Sequence, residues 1–267
     1  MSFFKRFLRS ALIAPCLVAT AHAVTLDWNA VSWTAGTLSN SYDIDPSTPG
    51  NDITVTVSGN TSQLTNELAS GNPMTPAITP DFQGGLASPP NALCLAVNFA
   101  NQGQAVTVTI DFSALYIAGV QNISLTLYDI DFSAASGNNY QDQLRNITAT
   151  SIDGVTLVAP TITTSANNTL SGSGLNYVVN GTVSTPDTGP GSGNGNVTIS
   201  FGATPIKSFT FTYGSGSGTV ADPTYQHVGF SDITFTPVPE INPAWSGVGS
   251  CLLAAILILR HSAKFRK

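Results

Sequence analysis

Positive charge is almost missing from the long middle of this 267-residue chain. Between residues 24 and 259 only Arg145 and Lys207 are basic, against fifteen acids, so that stretch carries −13 where the whole chain carries −6. Phosphate backbones are bound by clustered Lys and Arg, so nucleic acid is excluded as a partner of this region. Charge of either sign is scarce, at 9% of residues against about 25% in an average soluble domain. With 42% apolar residues, the chain has enough material for a core and is no charged, disordered tail.

Other absences narrow the chemistry. Of the three cysteines, Cys16 and Cys251 lie near the two ends, which leaves Cys94 alone in the middle and allows no disulfide there. Cys94 stands in Leu93-Cys94-Leu95-Ala96-Val97 and reads as a small buried hydrophobe. His227 is the single middle histidine, and neither H-E-x-x-H, a CxxC pair nor G-x-S-x-G occurs. Zinc chemistry and a nucleophile elbow therefore lack their residues. Glu67 is the one glutamate ahead of Glu240, so a glycosidase pair would rest on Asp. The expectation is a non-enzyme.

What is present begins at the ends. Lys5, Arg6 and Arg9 precede an apolar stretch, Ala11 to Ala19, and then Ala21-His22-Ala23. This order predicts a secretory signal over 1–23, removed by signal peptidase. Residues 244–259 carry no charge and are followed by Arg260, Lys264, Arg266 and Lys267. Sixteen helical residues cover about 24 Å, so 244–259 is expected to be a transmembrane helix and 260–267 a basic cytoplasmic tail. Pro237 to Pro243 reads as a short stiff stalk.

Val238-Pro239-Glu240, the apolar segment and the basic tail together resemble the PEP-CTERM sorting signal handled by exosortases. The likeness covers about the last 30 residues, with Ile241 after Glu240 and Pro243 two places on. It implies export, anchoring in the inner membrane, processing by an exosortase, and delivery to the cell surface or extracellular matrix. Val238, Pro239 and Glu240 would be recognition residues only.

Residues 24–236 read as all-β. Ile53-Val55-Val57, Val106-Val108-Ile110-Phe112, Ile123-Leu125-Leu127, Val197-Ile199-Phe201, Phe209-Phe211-Tyr213 and Ile233-Phe235 alternate with Thr, Ser or other polar residues. Period two with one wet face predicts strands. Asp153-Gly154 predicts a tight hairpin between 146–152 and 155–158. About ten strands are expected, in an antiparallel two-sheet β-sandwich of jelly-roll-like type with a Ser/Thr/Asn surface. Residues 60–92 and 184–196 are expected to be loop-rich.

The sharpest polar feature is Tyr128-Asp129-Ile130-Asp131, ahead of Asp142. A regular strand would carry Asp129 and Asp131 onto the inward row of Leu125 and Leu127. Buried carboxylates need partners. Arg145 is one candidate. A Ca²⁺ ion held by Asp129, Asp131, Asp142 and loop carbonyls is another, and a bulge turning both Asp outward is a third. Asp43, Asp45 and Asp52 on a Pro/Gly loop read as turn chemistry. Trp28, Trp33, Tyr42, Tyr140 and Tyr225 lie in or near polar segments, where they either close the core or form a sugar platform. The functional expectation is an exported structural or adhesive surface domain, with exopolysaccharide as a partner. The alternatives are a Ca²⁺-stabilised carbohydrate-binding module, whose glycan contacts the sequence does not assign, and a secreted hydrolase.

Overall fold

The computed structural model describes residues 22–239 apart from 69–70, 72, 83, 86–90, 136–137, 183–191 and 224. The expected signal (all but its last two residues), Glu240, the spanning segment 244–259 and the tail lie outside the described residues. Among the described residues no helix is long and apolar enough to cross a membrane. Residues 23–238 form one compact unit. Among the described residues its main apolar core is drawn from residues between Val24 and Phe235, and a compact unit with a core of its own can fold by itself.

Among the described residues the unit is built from strands joined by turns, with two three-residue 3-10 segments, Thr61–Gln63 and Gly174–Asn176. The first strands are β1 (Val24–Leu26), β2 (Ser39–Tyr42), β3 (Ile53–Gly59), β4 (Ala77–Thr79), β5 (Ala92–Val97) and β6 (Ala105–Phe112). Then come β7 (Val120–Tyr128), β8 (Phe132–Ala135), β9 (Asn138–Ser151), β10 (Leu157–Val158), β11 (Thr161–Thr164) and β12 (Asn168–Ser171). The last are β13 (Val178–Gly181), β14 (Val197–Phe201), β15 (Ile206–Ser215), β16 (Gln226–Phe230) and β17 (Ile233–Pro237).

Every pairing between them is antiparallel. A front layer runs β2-β3-β6-β15-β9, with β10 and the β13-β12 hairpin on the outer edge of β9. A back layer runs β11-β14-β7 and then the consecutive strands β16 and β17, flanked by β5-β4 and β1. The layers share one seam, Ile206 against Val120. Elsewhere they meet face to face. Phe112 packs on Phe235 at 4.8 Å between ring centroids, Phe209 on Phe201 at 5.5 Å and Phe211 on Phe230 at 5.5 Å. Each fully buried Phe contributes about 2–3 kcal/mol of transfer free energy. The expected antiparallel two-sheet sandwich is therefore present.

Seventeen strands form where about ten were expected. The expected runs are all strands, and the Asp153-Gly154 turn joins β9 to β10. The surplus strands are short and polar, like β11 (TITT) and β12 (NTLS), or lie in stretches read as loops, like β4 and β8. Backbone pairing holds them without an apolar row of their own.

Two asparagines shape the long strands. Asn146 takes φ 52° where β9 slips register against β15, between Thr210 and Thr212. Asn122 takes φ 53° near the start of β7. Asn tolerates this left-handed region better than most residues, so each marks a local bend.

The unit has two ends. At one, residue 23 leads into β1 and Val238 leaves β17, its N–H bonded to the Gly119 carbonyl at 3.0 Å. The loops 43–52, 113–119, 152–156 and 202–205 gather at this exit end. The far end holds the C-terminus of β7, the start of β9 and the end of β15.

Candidate functional site

Alternation makes the outer faces. In β3 and β6 the apolar residues are buried and the threonines between them half-exposed. Register then lines the threonines up. Across the front layer Ser39, Thr56, Thr109, Thr210 and Thr148 lie opposite one another on five neighbouring strands. At about 4.8 Å per strand, this row is about 19 Å long. A parallel row reads Ser41, Thr54, Asp111, Ser208 and Thr150. A third reads Ser58, Thr107, Thr212 and Arg145.

Hydroxyl–hydroxyl bonds link neighbours along these rows: Ser41 with Thr54 at 2.7 Å, Ser39 with Thr56 at 2.9 Å and Thr107 with Thr212 at 3.2 Å. Arg145 donates to Gln143 Oε1 at 2.6 Å, and Gln143 donates to Asn180 Oδ1 at 2.8 Å. The back layer repeats the pattern with Thr25, Thr234, Ser124, Ser200 and Thr161.

The far end holds the acid cluster. β7 stops at Tyr128, and Asp129 turns the chain at φ 66°. Asp129, Asp131 and Asp142 are all buried, so the outward bulge is not what happens. Arg145, the other expected partner, bonds Gln143 instead. Asp142 takes its partners from far away in sequence. Its Oδ1 accepts from Tyr213 Oη at 2.7 Å and Gln226 Nε2 at 2.8 Å, and its Oδ2 from the Asp131 N–H at 3.1 Å. Ser215 Oγ holds Gln226 in place at 2.8 Å. Burial, then the neighbouring Asp131, pushes the Asp142 carboxyl well above the ordinary range. Burial and Asp142 likewise raise the Tyr213 phenol.

Thus the structure brings the three candidate Ca²⁺ ligands together, but with Asp142 committed to a phenol and an amide. Among the described residues no group of three or more His, Cys, Asp or Glu is arranged to hold a metal ion.

The remaining candidates fall into structural roles. Asp52 Oδ2 accepts from the N–H groups of Ile44 and Asp45 at 2.7 Å each, and Asp45 Oδ1 accepts from the Ser47 N–H at 3.0 Å. Tyr116 Oη donates to Asp52 Oδ1 at 2.9 Å, which ties loop 113–119 to loop 43–52. The turn chemistry expected of this acidic loop is what the geometry shows. Cys94 is buried in β5, with its thiol pushed up to about 12 by burial. His227 stacks on Phe82 at 4.9 Å, and its Nε2 lies 2.8 Å from the Glu67 carbonyl. Trp28, Trp33 and Tyr42 are core residues, so they close the sandwich rather than present a platform. Tyr225 is exposed. Val238 is half-buried and Pro239 exposed, at the exit.

At the exit end a groove of about 480 Å³ opens beside the second hydroxyl row, lined by Asp111, Ser113, Tyr116, Ile117, Thr150 and Lys207. Partial burial raises the Asp111 carboxyl. Sequence reading passed over this groove because Asp111 and Lys207 are 96 residues apart and come to line it together only through the pairing of β6 with β15.

No family model matches the chain, and no curated protein matches it significantly. Solved structures do. A carbohydrate-binding module from Caldicellulosiruptor saccharolyticus, CBM27-1 in complex with mannohexaose, aligns over 83% of this chain and 100% of its own at 12% identity and TM-score 0.36. A family 11 carbohydrate-binding module from Clostridium thermocellum aligns over 84% and 99% at 12% identity and TM-score 0.29. The N-terminal domain of the Streptococcus gordonii adhesin Sgo0707 aligns over 78% and 50% at 11% identity and TM-score 0.34. Scores this low transfer neither family nor ligand.

Proposed function

We propose that this chain is an exported, non-catalytic β-sandwich of the cell surface or extracellular matrix, and that its front face binds neutral polysaccharide. The observation that carries the binding step is the set of aligned hydroxyl rows across β2, β3, β6, β15 and β9. A neutral sugar offers hydroxyls that both donate and accept, and Ser and Thr hydroxyls reciprocate in either sense. Arg145, Gln143 and Asn180 add planar donors at one border of the face. The −13 charge of residues 24–259 disfavours anionic glycans.

The address comes from the two ends of the sequence. A basic, apolar and small-residue leader suits signal peptidase, and Val238-Pro239-Glu240 with the apolar run and basic tail suits an exosortase and an inner-membrane anchor.

The test is a glycan array probed with residues 23–238. Binding to neutral polysaccharides is expected, with at least a ten-fold loss on Thr109→Glu and no change in melting. Failure to bind any glycan would overturn the binding step. It would leave a structural or adhesive role for the same exported fold.

A further inference from the structure

We infer that the exit end of the sandwich is a bilayer-docking surface that fits zwitterionic phospholipid, its apolar rim entering the headgroup boundary and its groove facing the headgroups. The inference rests on the proposed C-terminal anchor only for why a bilayer is at hand.

Among the described residues eleven large hydrophobics are exposed, and five of them, Leu115, Ile117, Ile152, Val155 and Leu157, sit at this end. They include the two most exposed, Ile117 at 72% and Val155 at 81%. They converge on one place. Ile117 and Gly154 line the same groove, and the Ile152 side chain reaches Gly119. A concentration of exposed apolar side chains at one end of a domain marks a contact surface.

The tips are held out by built geometry. Asp153 accepts from the N–H groups of Val155 and Thr156 at 2.9 and 2.8 Å, and from Thr156 Oγ1 at 2.5 Å, which fixes the turn beneath Val155. Loop 113–119 is pinned by Ser113 N–H on the Asp52 carbonyl at 2.7 Å and by the Tyr116 phenol on Asp52. These bonds fix the backbone of the two turns that present Val155 and Ile117.

What covers them follows from where the chain goes. It leaves β17 at Val238, bonded to Gly119 beside the patch, and the uncharged run 244–259 begins six residues later. A tether this short brings the exit end to whatever surface holds that run. Between the apolar tips the groove carries one ammonium, Lys207, and one carboxylate, Asp111. These complement the phosphate and the amine of a zwitterionic headgroup. An anionic surface would be repelled by the rest of the domain, and an apolar contact is little affected by salt.

The test uses the full chain in liposomes of phosphatidylethanolamine and phosphatidylcholine, and residues 23–238 with the same vesicles. In the full chain, amide exchange in 113–119 and 152–157 is expected to slow at least ten-fold relative to detergent, while 60–64 is unchanged. The isolated unit is expected to float with the vesicles. Ile117→Ser or Val155→Ser should each weaken partitioning about five-fold, and Leu115→Ser/Ile117→Ser/Val155→Ser at least twenty-fold, given the apolar area removed. These positions are exposed, and an unchanged melt will show that the fold is kept. Flotation should persist in 0.5 M salt and should not improve with phosphatidylglycerol.

If the full chain is extracted by carbonate but the unit still floats, the anchor reading fails and the docking surface stands. If the full chain resists carbonate but the two loops exchange freely and the unit stays in solution, the docking surface is overturned and the anchor stands.

Discussion

The two ends of the sandwich both bury carboxylates but differ in what they expose. At the far end carboxylates are inside: Asp129, Asp131 and Asp142 are withdrawn from water and Asp142 is matched to Tyr213 and Gln226. At the exit end aliphatic side chains are outside, on turns held by hydrogen bonds that are exposed at Asp153 and buried at Asp52. Aspartate is thus desolvated at both ends, as Asp142 and as Asp52, while Asp153 works as a solvated turn-former. Polarity alone does not place a residue in this fold; what decides is whether strands converge on it or a loop presents it.

The strongest challenge to that contrast is the core both ends share. Phe235→Ala removes the contact between the layers to Phe112 and is expected to cost about 3–5 kcal/mol by urea titration. Next is the far end. Asp142→Ala leaves the Gln226 amide and the Asp131 N–H without their acceptor and the Tyr213 hydroxyl with only the His227 carbonyl, a loss of about 2 kcal/mol at about 1 kcal/mol for each orphaned donor. Asp142→Asn keeps one acceptor and should cost less than half as much.

Asp142 and Asp153 respond to pH with opposite sign. Because the folded Asp142 carboxyl titrates above its ordinary value of 3.8, the native state keeps a proton that the unfolded chain has released. Stability should therefore fall as pH rises from about 4, levelling off above the folded value. Asp142→Asn should flatten that slope.

Asp153, at the exit end, is lowered to about 2 by its bonds to Thr156 and Val155. Its contribution is present above its ordinary value and is lost as pH falls through about 2. Asp153→Asn should lower the midpoint slightly at pH 6 and make no difference below pH 2. Smallest of all is the response to cations. Since Asp142 is already committed to protein donors, a chelator is expected to leave the calorimetric midpoint unmoved; a rise with added Ca²⁺ would show that the cluster opens to take an ion.

Much of this was legible beforehand. The β-sandwich follows from alternation, because a strand with one buried face repeats every second residue, as Ile53-Val55-Val57 does. The hydroxyl faces follow from the threonines between. The acid cluster was visible as Asp129 and Asp131, but its partners were not. Tyr213 and Gln226 lie 71 and 84 residues beyond Asp142 and arrive only through strand pairing. Trp28 and Trp33 were ambiguous because their polar neighbours occupy a turn while their rings point inward. The Asn122 and Asn146 bends were hidden in a sequence so rich in Asn-x-Ser/Thr that no single asparagine stands out.

The strand that leaves the domain lies inside its layer. β17 is held by β1 on one side and by β7 on the other, and both pairings run along its length. If the chain is held at Val238 and the front face grips a polymer, tension runs along the axis of β17. Its ladder bonds are then strained together in shear, where an edge strand leaving sideways would release them one at a time. Under the proposed anchoring and glycan binding, the placement of the last strand would make the sandwich a mechanical coupler, with its grip set by the strand that leads to Val238.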